Sequence, residues 1–372
     1  MAREMPLSTI AALPRVAIRS LRWWAQGLAP RHASVGLLWR CLAIAATMFA
    51  VALLGILMTR ASGRIAAVWL ASGLAVALLL RRPQHEWSML LLAGLAGNVL
   101  ANLAAGDTVL DAALLALLNA LEISLVVTIT ASGLQPDRRF ESHSIGRFIG
   151  AAMLGPLPPS LISATWFMAR DGLPFTLGFA SWYGADVLGL LIVSPILLAV
   201  RPLRHVIVEH RPLEAVLIPL VAAGLAALVF AQGAKPLLFL LAPVVLFAAF
   251  RLRLLPAMLT VAAVAAFAIA LTTHGLGPIA HANLDPVERI YVLQAFLATL
   301  VMLVLPVAAV IGERDQLGVA ADHSDRLFHR IAEATPAGIL HVELDGTVSF
   351  ANDRWVDLTG LQPTSPPAHQ PG

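Results

Sequence analysis

The sequence predicts an all-α polytopic membrane protein with about ten transmembrane helices (eight to ten) and a small α+β segment at its C-terminus. Of its 372 residues, 59% are hydrophobic and only 13% are charged, and the mean hydropathy is +0.81. Soluble domains carry about 25% charged residues, so water could not solvate this surface. The apolar residues also form blocks close to the roughly 20 residues that cross a hydrocarbon core. Strand-like alternation over about ten positions is missing before the C-terminal tail.

Ten apolar blocks lie between charged or Gly/Pro-rich breaks, and each is a candidate span. They cover residues 37–58, 65–80, 88–105, 109–131, 145–168, 179–200, 214–231, 237–250, 256–273 and 290–311. The second and eighth blocks are short, so the alternative of eight or nine crossings stays open, with some blocks re-entrant or broken. The stretch "MLGPLPPS" (153–160) indicates a break within the fifth block.

The distribution of Lys and Arg favours ten crossings with both termini in the cytoplasm. Cytoplasmic loops of membrane proteins are enriched in these residues. With the N-terminus inside, sixteen Lys and Arg residues fall on inner segments, five fall on outer loops, and four lie in the C-terminal tail. Removing one span would disrupt this segregation. The net charge of +3 is therefore attributed to membrane orientation, and no nucleic-acid partner is predicted.

The segments at the two ends of the chain differ from the membrane part. Residues 1–36 form a basic segment, in which "LPRVAIRSLRWWAQGL" (13–28) suits either a helix at the headgroup level or a disordered tail. Residues 313–335 are polar and helix-forming, which predicts a linker helix. Residues 336–361 alternate in strand fashion around an Asp-Gly hairpin signal. The Pro-rich residues 362–372 are predicted to be disordered.

Asp186 is the most unusual residue of the membrane part, because it stands in the apolar run "WYGADVLGLLIVSP" (182–195). An acid inside a membrane normally faces the bundle interior and is a functional candidate by default. Trp182 lies near the predicted outer interface, which places Asp186 about one helical turn below the surface. The same run holds residues that shape helix packing or kinks, namely Gly184, Gly189 and Pro195.

Polar residues in other spans are candidate neighbours of Asp186. Asn98 and Asn102 share one helix face, and Asn119 and Glu122 share another. The candidate ligand or signal site comprises Trp69, Asn98, Asn102, Glu122, Trp182 and Asp186. In the alternative interpretation these polar groups only hold helices together, with Asp186 protonated and hydrogen-bonded. The sequence leaves both interpretations open.

No catalytic residues, cofactor or metal site are predicted. Lys235 is the only lysine and is followed by Pro236, so a phosphate loop of the G-x-x-x-x-G-K-[ST] type is absent. His274 and His281 lack a third ligand and are interpreted as loop histidines. Signatures of a diguanylate cyclase or a phosphodiesterase are also absent, so the chain is not predicted to be an enzyme.

Four stretches carry a family resemblance: "VWLASGLAVALLLR" (68–81), "LLAGLAGNVLANLAAG" (91–106), "WYGADVLGLLIVSPILL" (182–198) and "HGLGPIAHANLDPVERIYVLQAFL" (274–297). In order and spacing they resemble the first type of membrane-associated sensor domain, the MASE family of bacterial signalling proteins, over about residues 37–312. The tail, with "ATPAGILHVELDGTVSFAN" (334–352) followed by a short helix ending "LTG", resembles the start of a PAS domain.

The resemblance implies a sensory domain in the bacterial inner membrane that passes a signal through the linker to PAS and output modules. In relatives the output is a diguanylate cyclase, a cyclic-di-GMP phosphodiesterase or the histidine kinase of a two-component system. A PAS fold needs about a hundred residues and only roughly 35 are present, so a truncated, partly ordered PAS fragment is expected. The expected partners are the lipid bilayer, an unknown small-molecule signal and a second copy of the chain. The alternative function is a small-solute membrane transporter.

Overall fold

The computed structural model describes residues 35–59, 66–132, 142–200, 212–233, 237–252, 254–343 and 348–360. The described chain is mostly helical, with a two-stranded sheet near its C-terminus, which confirms the predicted fold class. The predictions for residues 13–28 and 362–372 lie outside the described residues.

Helices follow one another along the described chain with short connections. In chain order they are α1 (Val35–Thr59), α2 (Leu70–Leu80), α3 (Trp87–Ala104), α4 (Val109–Ala131), α5 (Ser142–Leu154), α6 (Leu157–Asp171), α7 (Phe175–Ala199), α8 (Pro212–Ala231), α9 (Leu241–Arg251), α10 (Leu254–Thr273), α11 (Gly277–Ala280), α12 (Pro286–Ala334) and α13 (Asp353–Thr359). Eight stretches of the described residues are long and apolar enough to span a membrane, so the protein is a multi-pass integral membrane protein. Helices α2 and α9, in the second and eighth predicted blocks, are too short to span alone.

The fifth predicted span is broken inside the Gly/Pro-rich stretch that indicated a break. Helix α5 ends at Leu154 and α6 begins at Leu157, with Gly155 and Pro156 between them. Pro158 and Pro159 fall in the first turn of α6, where the N–H group that proline lacks would have no partner. A Cβ atom on Gly155 would overlap the side chain of Val126. The glycine therefore lets this corner pack directly on α4.

Helix α2 belongs to a return path between two parallel helices. Arg40 in the second turn of α1 pairs with Glu86 just before α3, with 3.3 Å between the guanidinium and carboxylate atoms. Further along both helices, Gly97 of α3 lies against the carbonyl oxygen of Ala45. The two helices thus run in the same direction, and the chain between them must recross the bundle. The described part of this return consists of the non-helical residues 66–69 followed by α2.

Helix α9 makes a second short return. Arg251 at the end of α9 pairs with Glu214 near the start of α8 at 2.7 Å. Gly277, just beyond the end of α10, packs against Phe230 near the end of α8. Helices α8 and α10 are therefore parallel, and α9 leads the chain back between them. The chain therefore recrosses the bundle in both short blocks, although neither α2 nor α9 is long enough to span a membrane alone.

The chain divides into two compact units, residues 1–311 and 312–372. In the second unit, strands β1 (Leu340–Val342) and β2 (Val348–Ala351) pair antiparallel. The alternation in the sequence predicted this hairpin, whose turn lies outside the described residues.

Asn352 organises the end of the second unit. Its side-chain oxygen accepts hydrogen bonds from the backbone N–H groups of Ile339 at 2.7 Å and Trp355 at 3.0 Å, so it caps α13. Its amide nitrogen donates to the carbonyl oxygens of Ala332 at 2.7 Å and Ala337 at 3.0 Å. One buried side chain thereby connects the end of α12, the strand β1 and the short helix α13.

Candidate functional site

Glu122 and Asp186 lie side by side in the interior of the bundle. Asp186 is at the middle of α7 and Glu122 is just past the middle of α4. Their exposed fractions are 4% and 0%, and their carboxyl groups are in hydrogen-bonding contact. Helix α7 begins at Phe175, so about three of its turns precede Asp186, and the depth of Asp186 below the membrane surface stays a prediction.

The start of α2 contacts Glu122 and the backbone next to Asp186. The Ser72 hydroxyl donates a hydrogen bond to Oε2 of Glu122 at 3.2 Å. The backbone N–H of Trp69 donates to the carbonyl oxygen of Ala185, the neighbour of Asp186, at 2.9 Å. No side chain caps this helix start among the described residues, so its first N–H groups lack intrahelical partners. The positive end of the α2 dipole therefore lies beside Glu122, which in turn contacts Asp186.

Two glycines let α2 and α7 touch through their backbones. A Cβ atom on Gly73 would overlap the carbonyl oxygen of Gly189, and one on Gly189 would overlap the carbonyl oxygen of Trp69. Ser194 Oγ also donates to the carbonyl oxygen of Gly73 at 2.8 Å. Because the two glycines have no side chains, the backbones of α2 and α7 can touch here. This contact places Ser72 beside Glu122.

Gln294 of α12 stabilises the non-helical segment before α2. Its amide nitrogen donates to the carbonyl oxygens of Ala66 at 3.1 Å, Ala67 at 3.4 Å and Ser181 at 3.2 Å. Irregular backbone inside a membrane is tolerated only where protein or water satisfies it. Gly184 leaves room for this amide, because a Cβ atom there would lie 2.6 Å from its oxygen. Sequence reasoning missed Gln294, although a lone amide in an apolar span is a usable signal.

A second polar contact joins α12 to α7. The Tyr291 hydroxyl donates to the carbonyl oxygen of Leu177 at 2.7 Å and accepts from Ser181 Oγ at 3.1 Å. Helix α12 is thus hydrogen-bonded both to α7 and to the segment that leads into α2.

Comparison with known families identifies this arrangement. The MASE1 family matches residues 40–315, which is most of the chain. The chain belongs to the MASE1 family. The membrane part is therefore a MASE1 sensor domain, a membrane sensory module of signal transduction, and no catalytic domain was matched. No curated protein and no solved structure matches the chain. Because the family match ends at residue 315, the PAS resemblance of the tail stays a prediction.

Asn98 and Asn102 form a separate polar group in the MASE1 domain. The Asn102 amide donates to the carbonyl oxygen of Asn98 at 2.9 Å and to its side-chain oxygen at 2.8 Å. Within the described ranges, no hydrogen bond connects this pair to Glu122 or Asp186. Asn98 and Asn119 instead line a space of about 10 Å³ between α1, α2, α3 and α4, room for about one water molecule. The residues grouped as one site in the sequence therefore divide into two.

The two tryptophans of the predicted site have different surroundings. Trp69 is the residue before α2, and its indole nitrogen is buried without a hydrogen-bond partner among the described residues. Its ring packs against Gly55 of α1. Trp182 lies one turn before Asp186 on α7 and stacks on Phe167 of α6, with the ring centroids 5.7 Å apart. Pro195 lies inside α7, which continues to Ala199.

Metal ligands are not gathered in the described part of the MASE1 domain. No group of three or more His, Cys, Asp and Glu side chains there is placed to hold a metal ion. His281 contacts the carbonyl oxygen of Gly277 through Nδ1 at 2.9 Å.

Proposed function

We propose that this MASE1 domain responds to a signal at the Ser72–Glu122–Asp186 group and transmits the response along α12 to an output module. The observation that carries the proposal is the continuity of α12, a single helix from Pro286 to Ala334. Its first turns hold the backbone next to the acids, and its last turns lie in the polar region predicted as a linker. A change at the acids thus has a direct mechanical route to the C-terminal unit.

The coupling requires two arrangements of α12 with different affinities for the signal. Gln294 is the natural point at which the two arrangements differ, since its amide bonds both α7 and residues 66–67. Loss of either set of bonds would free α12 to turn or slide against α7. The proposed output module is a diguanylate cyclase, a phosphodiesterase or a histidine kinase, reached through a PAS module.

The proposal includes a bacterial inner-membrane location with both termini in the cytoplasm. The segregation of Lys and Arg supports this orientation. It also includes a homodimer formed through the linker, because Leu327 and Ile331 are exposed apolar side chains one turn apart on α12.

Changing the helical phase of α12 tests whether this helix transmits the signal. Residues 1–360 are joined to a diguanylate cyclase domain of known activity, and one to four alanines are inserted after Gly318, which is exposed. Each insertion turns the downstream helix by about 100°, so output should vary periodically and an insertion of seven residues should restore it. Output that ignores the insertions would contradict transmission along α12.

The transporter alternative is favoured by one observation. Broken helices beside buried acids are typical of transport sites, and residues 66–69 with α2 fit that pattern. Proteoliposomes with an internal pH-sensitive dye would distinguish the two functions when tested with a panel of sugars, amino acids and organic acids. Solute-dependent proton movement that is lost in D186N would support transport. Its absence, together with phase-dependent output, would support sensing.

A further inference from the structure

The Glu122–Asp186 pair has no cationic partner among the described residues. The charged neighbour of each carboxyl group is the other carboxyl group. Oε1 of Glu122 is buried and accepts no hydrogen bond from an N–H or O–H group of the described chain. Two ionised carboxylates in contact would repel each other and would lack solvation in this interior. The pair therefore needs a further positive charge.

On the α4 side of the bundle, the charged residues of the described helices are paired with other groups or are exposed. Asp111, at the start of α4, pairs with Arg170 of α6, and α3 carries no charged residue. Glu86, which precedes α3, pairs with Arg40. On α5, Arg147 is exposed.

On the α7 side, the charged residues of the described helices also bond to groups other than Glu122 and Asp186. Arg81, at the end of α2, donates to the carbonyl oxygens of Leu197 at 3.0 Å and Val200 at 2.6 Å, far along α7. Helix α10 contains no charged residue. The charged residues in the first turn of α12 are Glu288 and Arg289. Glu288 accepts from the backbone of the preceding loop and Arg289 donates to it.

Asp171 at the end of α6 is exposed and pairs with Arg170, and two tyrosines also lie near this side of the bundle. Tyr183 donates to the carbonyl oxygen of Met153 at 3.0 Å, and Tyr291 is bonded to α7 as described above. Neither hydroxyl is paired with an acid.

We propose that Glu122 and Asp186 bind one proton between them and that this proton is the ligand of the site. Binding adds one proton to two carboxylates and forms one hydrogen bond, so one negative charge remains. The uncapped first turn of α2 favours that remaining charge. A proton suits this site better than a metal cation. Ca²⁺ or Mg²⁺ would require about six oxygen ligands, and Ser72 Oγ already donates to Glu122.

Release of the proton would leave two negative charges at the first turn of α2. The contacts made there by Ser72 and Trp69 would then have to adjust, and residues 66–67 connect this turn to Gln294. The proton site follows from the bundle alone, and only its coupling to output rests on the function proposed above.

Infrared spectroscopy of the full chain in lipid nanodiscs tests the site directly. A protonated carboxyl group gives a C=O stretching band that shifts in D₂O. We expect wild-type protein to show such a band at neutral pH and to lose it as the pH rises. The double variant E122Q/D186N should lack the band, whereas each single variant should shift its frequency. D111N, which makes the same change on α4, should keep it unchanged.

Several results would overturn the proton site. The band could be missing from wild type, could persist in the double variant, or could ignore pH at every value the protein withstands. Loss of the band on adding sodium at constant pH would assign the site to a cation instead. If the double variant does not fold, S72A still decides, because removing one hydrogen bond to Glu122 must shift the titration midpoint.

Coupling is measured separately in the diguanylate cyclase fusion. A pH step across the infrared titration should change output at least severalfold in wild type, and the change should vanish in E122Q/D186N. A normal infrared titration with no pH effect on output would keep the proton site and contradict the coupling. Phase-dependent output without the infrared band would keep the transmission along α12 and contradict the proton site.

Discussion

The two short returns of the bundle solve the same topological problem with different chemistry. Helix α2 has seven of its 11 residues buried, whereas α9 has four of 11. Helix α9 carries a single charged residue, at its end, and exposes Phe247 and Phe250. The start of α2 instead carries Ser72 and lies beside two acids.

The difference between the two returns shows where the bundle can hold a polar site. Non-helical backbone is stable at membrane depth only when surrounded by protein, and Gln294 supplies that protection before α2. Before α9 the chain forms a short 3-10 helix (Leu237–Leu240) instead of an extended segment. The first return is therefore able to hold a polar site, and the second serves packing.

The largest expected effect comes from filling the α2–α7 contact. Gly189→Val would force a side chain into the carbonyl of Trp69, and overpacking of this kind costs about 1–3 kcal/mol and occasionally more. A Cβ atom on Gly224 of α8 would meet nothing within 4 Å. Gly224→Val is therefore the matched control and should change stability little. Thermal unfolding in detergent measures both, and equal losses would contradict the backbone contact.

The second effect comes from Gln294. Gln294→Leu would remove the side-chain donor that the carbonyl oxygens of Ala66, Ala67 and Ser181 share, at a cost of about 1–3 kcal/mol. Gln232→Leu, at the end of α8 in the other region, should cost well under 1 kcal/mol because the residue is half exposed. Output of the cyclase fusion should also become insensitive to pH in Gln294→Leu but not in Gln232→Leu. Retained stability and coupling in Gln294→Leu would remove this amide from the pathway.

The sequence predicted those features that depend on composition along one helix. Block length and hydropathy located the spans, Gly155 and Pro156 marked the broken span, and Glu122 and Asp186 stood out as acids in apolar runs. The separation of Asn98 and Asn102 from the acids has no such signal in the sequence. Periodicity defines the face on which a residue lies, but not how that helix is rotated against its neighbours.

Two further features depend on contacts between distant segments. The non-helical lead into α2 is stabilised by Gln294, more than two hundred residues away along the chain. The parallel direction of α1 and α3 follows from contacts such as Arg40–Glu86. No local pattern in the sequence specifies these pairings.

A smaller effect is expected at Ser194. Ser194→Ala removes the hydrogen bond to the carbonyl oxygen of Gly73, and single hydrogen bonds between membrane helices contribute about 0.6 kcal/mol. Thr260→Val is the control in the second region, because Thr260 bonds only within α10, to Pro256. Since Ser194 holds α2 against α7, its loss should also shift the infrared titration of the acid pair. Thr260→Val should leave the titration unchanged, and a shift of equal size in both variants would refute the link between this bond and the acids.

The smallest effect is expected at the far end of the second return. Arg251 and Glu214 form an ion pair with about a third or more of each side chain exposed, and such pairs contribute about 0–1 kcal/mol. Arg251→Gln should therefore lower stability only slightly, and the loss should shrink further at high salt because solvent ions screen exposed charges. The pH response of the cyclase fusion should be unchanged, since this pair joins α8 to α9 in the second return. A large loss of that response would show that the second return also participates in signalling, and the division of roles between the two returns would have to be abandoned.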